Sequence, residues 1–113
     1  MPVIQGRTSV ALSSVNDNVL AGSQFEFAPY NALVEFGLAG DANATDLRVD
    51  VYSGQDVLCE QLEPNAQARI PLYPDDFILQ DVVAAGERIK IRVRNTNAAA
   101  ARTLFHAVRI TPI

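Results

Sequence analysis

The 113-residue sequence contains one cysteine, one histidine, one methionine and no tryptophan. The single cysteine, Cys59, excludes a disulfide within the chain and any zinc site built from several cysteines. The single histidine, His106, excludes the metal motifs that need two histidines. The longest apolar runs of the sequence are much shorter than the about 18 residues that a membrane-spanning helix needs. Residues 1–20 lack the continuous apolar segment of a signal peptide, so we expect neither a membrane span nor a secretion signal.

The composition is that of a folded chain. Hydrophobic residues make up 49% of the sequence and charged residues 19%, which is unlike the composition of disordered proteins. A chain of this length is typical of one domain, so we expect a single domain over residues 1–113.

Alternation with a period of two dominates the clearest segments. In the segment 87–95, Ile89, Ile91 and Val93 alternate with basic residues, which predicts a half-buried strand near the middle of the fold. A hairpin is predicted from 47–52 through the turn 53–56 to 57–62. Further strands are predicted at the following ranges: 8–15, 25–27, 32–38, 66–72 and 102–111.

The only helical candidate is the segment 74–83, where Pro74 precedes two aspartates. The other segments give about seven or eight short strands with turn signals every 8–12 residues. We therefore expect an all-β fold, an antiparallel and jelly-roll-like β-sandwich with at most one short helix.

The charges are divided unequally along the chain. Residues 1–65 hold two arginines and nine acids, whereas residues 66–113 hold seven bases and four acids. This division favours either pairing between strands of the two halves or a head-to-tail contact between subunits. The net charge of −4 disfavours nucleic-acid binding.

Four cations occupy alternate positions, at Arg88, Lys90, Arg92 and Arg94, and are called the basic stripe. One hypothesis is an interface with the phosphates of a nucleic acid, an acidic glycan or an acidic protein surface, of which the acidic protein surface is favoured. The other hypothesis is cross-strand pairing with acids of the same chain, such as Asp46, Asp50 or Glu60.

Signals for catalysis or metal binding are weak. His106 falls on an apolar strand face and Cys59 inside an apolar strand, so we interpret both as core residues and expect no enzyme activity. We interpret the pair Asp75 and Asp76 as a helix cap and the loop 41–46 as a solvated turn. The alternative for both is a site for a structural cation. We expect no cofactor. The glycosylation triplet at 43–45 is interpreted as a chance match.

The sequence resembles small single-domain jelly-roll structural proteins of bacteriophages. The resemblance is carried by the segments Gly22–Gly37, Tyr73–Phe77 and Ala84–Thr96. The resemblance implies a capsid decoration, vertex or minor capsid subunit that is made in the host cytoplasm and assembles into the virion. It also implies a homotrimer or homopentamer that contacts other capsid proteins, and it carries over no catalytic residue. The alternative from another class is a glycan-binding β-sandwich module, which the absence of tryptophan disfavours.

Overall fold

The computed structural model describes residues 3–23, 26–41, 46–54, 56–66, 70–71 and 76–113. These residues contain no α-helix, and they form nine strands: β1 Val3–Val10, β2 Val15–Asn16, β3 Ala32–Gly40, β4 Leu47–Ser53, β5 Asp56–Leu62, β6 Asn65–Ala66, β7 Phe77–Val83, β8 Ile89–Asn95 and β9 Arg102–Pro112.

The strands form two sheets. In the first sheet, β9 lies between β1 and β3, and the other side of β3 pairs with β7 and with the two-residue strand β6. The second sheet has the order β2-β8-β4-β5. All described pairings are antiparallel except the short one between β3 and β6.

The strand pairs follow the pattern of one long hairpin that has been rolled up. The pairs are β1 with β9, β2 with β8, β3 with β7, and β4 with β5. Two further pairings, β3 with β9 and β4 with β8, join these four ribbons into the two sheets. This connectivity is that of a jelly roll, so the predicted all-β antiparallel sandwich is confirmed.

The core lies between the sheets and is built from alternate residues of the longer strands. Each contributing strand turns a row of branched or aromatic side chains inward, as expected for a half-buried sheet. The largest fully buried side chains include Val34, Phe36, Leu38, Leu47, Val49, Val51, Ile89, Ile91, Leu104 and Ile110. The predicted strands at 32–38 and 47–52 are therefore confirmed, as are the inward face predicted for 87–95 and the interior position of β8.

The predicted helix at 74–83 is wrong over its described part, because Phe77–Val83 is strand β7. The backbone of β7 pairs with Ala32–Gly37, and Leu79 and Val83 pack toward the core. Tertiary pairing thus overrides the local helix signals. Within the part of the chain that the structure describes, no helix has the length and apolarity needed to cross a membrane.

Three strand boundaries also differ from the prediction. The range 8–15 splits, because β1 ends at Val10 and β2 begins at Val15. In the range 25–27, Phe27 forms an isolated bridge with Arg88, and residue 25 lies outside the described residues. In the range 66–72, only the first residue belongs to a described strand, while 67–69 and 72 are not described.

The turn between β4 and β5 requires glycine. Gly54 has a φ of 59°, a conformation that other residues adopt at a cost. A Cβ at this position would also collide with the carboxylate of Glu87. The predicted hairpin is therefore confirmed, and its turn depends on Gly54.

Two buried asparagines complete the edge and the end of the second sheet. The Asn18 Oδ1 atom accepts hydrogen bonds from the backbone nitrogens of Leu20 and Ile91, so the chain after β2 stays attached to β8. The Asn95 Nδ2 atom donates to the carbonyl oxygens of Val10 and Ala100. Asn95 thereby ties the end of β8 to the end of β1 in the other sheet.

Replacing Ile91 by aspartate tests the placement of β8. The side chain of Ile91 is fully buried, so the change places an unpaired charge in the core at a cost of several kcal/mol. Since domains are stable by about 5–15 kcal/mol, we expect loss of the cooperative thermal transition in circular dichroism. The control is Ile78→Asp on β7, where the side chain is 49% exposed and the variant should still melt cooperatively. An Ile91→Asp protein that melts like the wild type would contradict the fold.

Candidate functional site

The basic stripe lies on the outer face of the second sheet. Ile89, Ile91 and Val93 of β8 point into the core, so Lys90, Arg92 and Arg94 point outward. Arg88 immediately precedes β8 and is also exposed. The structure therefore brings the four predicted residues together on one face.

Two of the four cations form ion pairs with acids of the N-terminal half. The Arg88 Nε atom lies 2.8 Å from Oε2 of Glu26, whose side chain is only 14% exposed. The Arg92 Nε atom lies 3.6 Å from Oδ1 of Asp17, whose side chain is 84% exposed. The Arg92 pair is long and solvated, so its contribution to stability is small.

The other two cations contact neutral groups. The Lys90 ammonium lies 5.6 Å from the ring centroid of Tyr52, its partner on β4. The Arg94 guanidinium donates a hydrogen bond of 3.3 Å to the side-chain oxygen of Gln61 on β5. These contacts orient the two side chains without neutralising their charges.

The division of charge along the chain is partly used within the chain. Arg102 donates a 2.8 Å hydrogen bond to Oδ2 of Asp46, so it joins the C-terminal to the N-terminal half, as Arg88 and Arg92 do. Two hydrogen bonds lower the pKa of Asp46, and the one from Arg102 contributes more than the one from Asn97. The rolled hairpin explains this pairing, because it places strands of the two halves side by side.

Of the acids named from the sequence, Asp50 lies opposite a stripe residue, whereas the described ion pairs of the stripe involve other acids. Asp46 pairs with Arg102, which is outside the stripe. Asp50 faces Arg92 across the β4–β8 ladder, and its Oδ1 atom accepts the backbone N–H of Gln61. The acids that pair with the stripe, Glu26 and Asp17, lie in short loop segments whose positions alternation does not reveal.

A concave site of about 170 Å³ opens beside the C-terminal part of the stripe and is called the arginine pocket. Three strands contribute its lining, β4, β5 and β8. The lining side chains are Arg48, Asp50, Gln61, Arg92 and Arg94. Sequence reasoning did not include Arg48 or Gln61, although Arg48 alternates with Leu47 and Val49 and thus faces outward like the stripe.

A β-bulge shapes this pocket. Val49 pairs with Leu62 and Val51 pairs with Cys59, so two residues of β5 lie opposite Asp50 alone. Gln61, in the bulge, has a φ of 55°, which is unusual for a residue other than glycine. Its N–H donates a 2.7 Å hydrogen bond to the Asp50 carboxylate. The bulge places the Gln61 side chain beside Arg94, a contact that strict alternation does not predict.

His106 and Cys59 occupy core-facing positions. His106 is 6% exposed and lies opposite Gly6 of β1, and no described group hydrogen bonds to its Nδ1 atom. Burial lowers the pKa of His106, which favours the neutral imidazole. Cys59 is half-buried and packs against the core, and burial raises the pKa of its thiol. The structure therefore places both side chains in settings that disfavour their charged forms.

The acidic segments considered as cation sites are only partly described. Asp41 accepts a hydrogen bond of 3.0 Å from the backbone nitrogen of Thr103, while residues 42–45, including the glycosylation triplet, and Asp75 lie outside the described residues. Among the residues that the structure describes, no group of three or more histidines, cysteines or acids is arranged to hold a metal ion.

The chain matches no family model, no curated protein and no solved structure.

A carboxyl pair formed between β5 of the second sheet and β7 of the first sheet predicts a pH effect. The pKa of Asp56, at the start of β5, is raised by Asp81 on β7. The larger cause is the contact between the two side chains, and the second is the negative charge of Asp81. A raised folded-state pKa stabilises the fold at low pH, and this stabilisation is lost as the pH rises through that pKa. Asp56→Asn should therefore raise Tm at pH 7 and change it less at pH 4.

Glu60→Gln on the same strand removes one exposed negative charge and serves as the control. The measurement is thermal unfolding at both pH values. An Asp56→Asn variant whose Tm at pH 7 is unchanged or lower would show that the two carboxyl groups do not repel each other.

Proposed function

We propose that the protein is a structural subunit of a virion, a decoration, vertex or minor capsid protein that assembles with copies of itself and with other capsid proteins. The observation that supports this proposal best is the rolled-hairpin connectivity of the two sheets. Jelly-roll sandwiches are the architecture of many viral capsid domains and also of lectins. The proposal thus agrees with the resemblance of the sequence to jelly-roll phage proteins, and it rests on fold-level analogy.

The outer face of the second sheet supports a role in assembly. Lys90 and Arg94 contact neutral groups, and Arg92 has a long, solvated ion pair, so this part of the basic stripe keeps most of its charge for a partner. Arginine is enriched in protein interfaces, whereas lysine and glutamate are depleted there. We therefore place the subunit contact at Lys90, Arg92 and Arg94, with Arg88 at its margin because Glu26 already holds it.

The geometry of the contact follows from the unlike faces. A basic face that binds an acidic face of the next copy forms a heterologous interface, which closes into a ring when the rotation between subunits allows it. A homotrimer or homopentamer is the expected product.

The second candidate is a glycan-binding module. One feature favours it, the arginine pocket, whose amide, carboxylate and guanidinium groups can all hydrogen bond to sugar hydroxyls. Glycan-binding modules occur both as monomers and as oligomers, so a direct test of glycan binding, and not the oligomeric state alone, separates the two candidates.

Charge reversal tests the assembly. Arg92→Glu with Arg94→Glu should leave the β fold intact in circular dichroism, because both side chains point away from the core. The same change should lower the mass in light scattering to that of the 12.2 kDa monomer, since the interface would then carry like charges.

The control is Arg7→Glu in β1 of the first sheet, which reverses one exposed arginine charge away from the stripe. This variant should keep the wild-type mass. A wild-type protein that is monomeric at high concentration, or a stripe variant that keeps the full oligomer mass, would contradict the proposed interface.

A further inference from the structure

The arginine pocket carries an excess of positive charge. Its lining contains three arginines, Arg48, Arg92 and Arg94, and one acid, Asp50, so the formal charge of the lining residues is +2. Among the described contacts outside the lining, Arg48 pairs with Glu63 at 3.3 Å and donates to the carbonyl oxygen of Leu47, and Arg92 pairs with Asp17 at 3.6 Å. Both acids are at least half exposed. Pairs of this kind are screened by water and offset little of the charge.

The strand register places two of these arginines against each other. Arg48 of β4 lies directly opposite Arg94 of β8 in the ladder. Like charges at directly opposed positions of an antiparallel pair are destabilising. At the neighbouring outward position, Asp50 lies opposite Arg92, so the ladder combines one favourable pair with one unfavourable pair. An anion between Arg48 and Arg94 would remove the repulsion.

The bulge holds the remaining polar groups in place. Asp50 is engaged by the N–H of Gln61, and Gln61 in turn accepts a hydrogen bond from Arg94. Bulges and positive φ values at ordinary residues are concentrated at functional sites, where they direct a side chain toward a ligand. The local departure from regular sheet geometry thus coincides with the convergence of the three arginines.

We propose that the arginine pocket binds a doubly charged oxyanion of the phosphate class. The guanidinium group has planar pairs of N–H donors that match the oxygens of such a group, and it binds carboxylates and phosphates through two hydrogen bonds. A dianion matches the formal charge of +2, whereas a carboxylate carries one charge and only two oxygens. The volume of about 170 Å³ accommodates a phosphate group with several water molecules.

This site is formed by one chain and does not depend on the proposed assembly. Arg92 and Arg94 belong to both surfaces, so phosphate binding is measured at a protein concentration at which light scattering shows the monomer. Under this condition the failure of one proposal leaves the other standing. If both occur, the bound anion lies on the same face as the subunit contact.

The experiment is titration calorimetry of the full chain with inorganic phosphate at pH 8, with ionic strength held constant by sodium chloride. The wild-type protein should show saturable binding. Arg94→Gln and Arg48→Gln should each weaken the affinity about tenfold or more, since each removes charged hydrogen bonds. Arg88→Gln is the matched control, because Arg88 belongs to the same stripe but pairs with Glu26 outside the pocket, and it should bind like the wild type.

Thermal unfolding gives a second readout that a merely structural arginine would not produce. In phosphate-free buffer, Arg94→Gln should be as stable as the wild type or more stable, because the repulsion with Arg48 is relieved. Added phosphate should raise the Tm of the wild type and of Arg88→Gln, but not that of Arg94→Gln.

Further probes define the chemical class. Methyl phosphate should bind like inorganic phosphate, which would extend the site to phosphate monoesters. Dimethyl phosphate and acetate, each with one charge, should bind at least tenfold more weakly. The proposal is overturned if the wild type shows no saturable phosphate binding, if Arg88→Gln loses as much affinity as Arg94→Gln, or if acetate binds as tightly as phosphate.

Discussion

The register of β8 is the constraint on which the rest of the structure depends. Ile89, Ile91 and Val93 fill the centre of the core, while the intervening residues form the charged outer face of the second sheet. A slip of one residue would bury the cations and expose the core, so the hydrophobic effect alone strongly selects one register. Asn18 on one side of β8 and Asn95 at its end add hydrogen bonds that only this register satisfies.

The rolled hairpin brings segments that are far apart in the sequence into neighbouring positions in the sheets. Its outermost strands, β1 and β9, run side by side, and the next pair, β2 and β8, does the same in the other sheet. Acids of the first half and arginines of the second half therefore meet within one molecule. The ion pair between Arg102 and Asp46 is the best protected of these contacts, with side chains 15% and 28% exposed. The division of charge along this sequence is thus used in part for ion pairs within the chain.

The sequence predicted those parts of the fold where one strand face is apolar. The faces of β3, β4 and β8 and the hairpin at Gly54 follow from alternation and from a turn residue. Strand β7 could not be predicted in this way. It forms because Phe77–Val83 pairs with the distant segment Ala32–Gly37, and local helix signals carry no information about such a contact. Alternation along β8 also predicted the basic stripe, because the stripe occupies the positions between the core residues. It did not predict the arginine pocket, because the bulge at Gln61 interrupts the alternation that identifies outward residues.

The basic stripe consists of two parts with different physical settings. Arg88 is held by the nearly buried carboxylate of Glu26, and this pair connects the loop before β3 to the start of β8. Arg92 and Arg94 lie instead beside Arg48, in a concave site where the strand ladder opposes two like charges. A stripe that served folding alone would place acids opposite each cation, as β4 does with Asp50 opposite Arg92. Arg48 and Arg94 oppose each other instead, although Arg48 also pairs with Glu63, and the proposed anion would relieve this opposition.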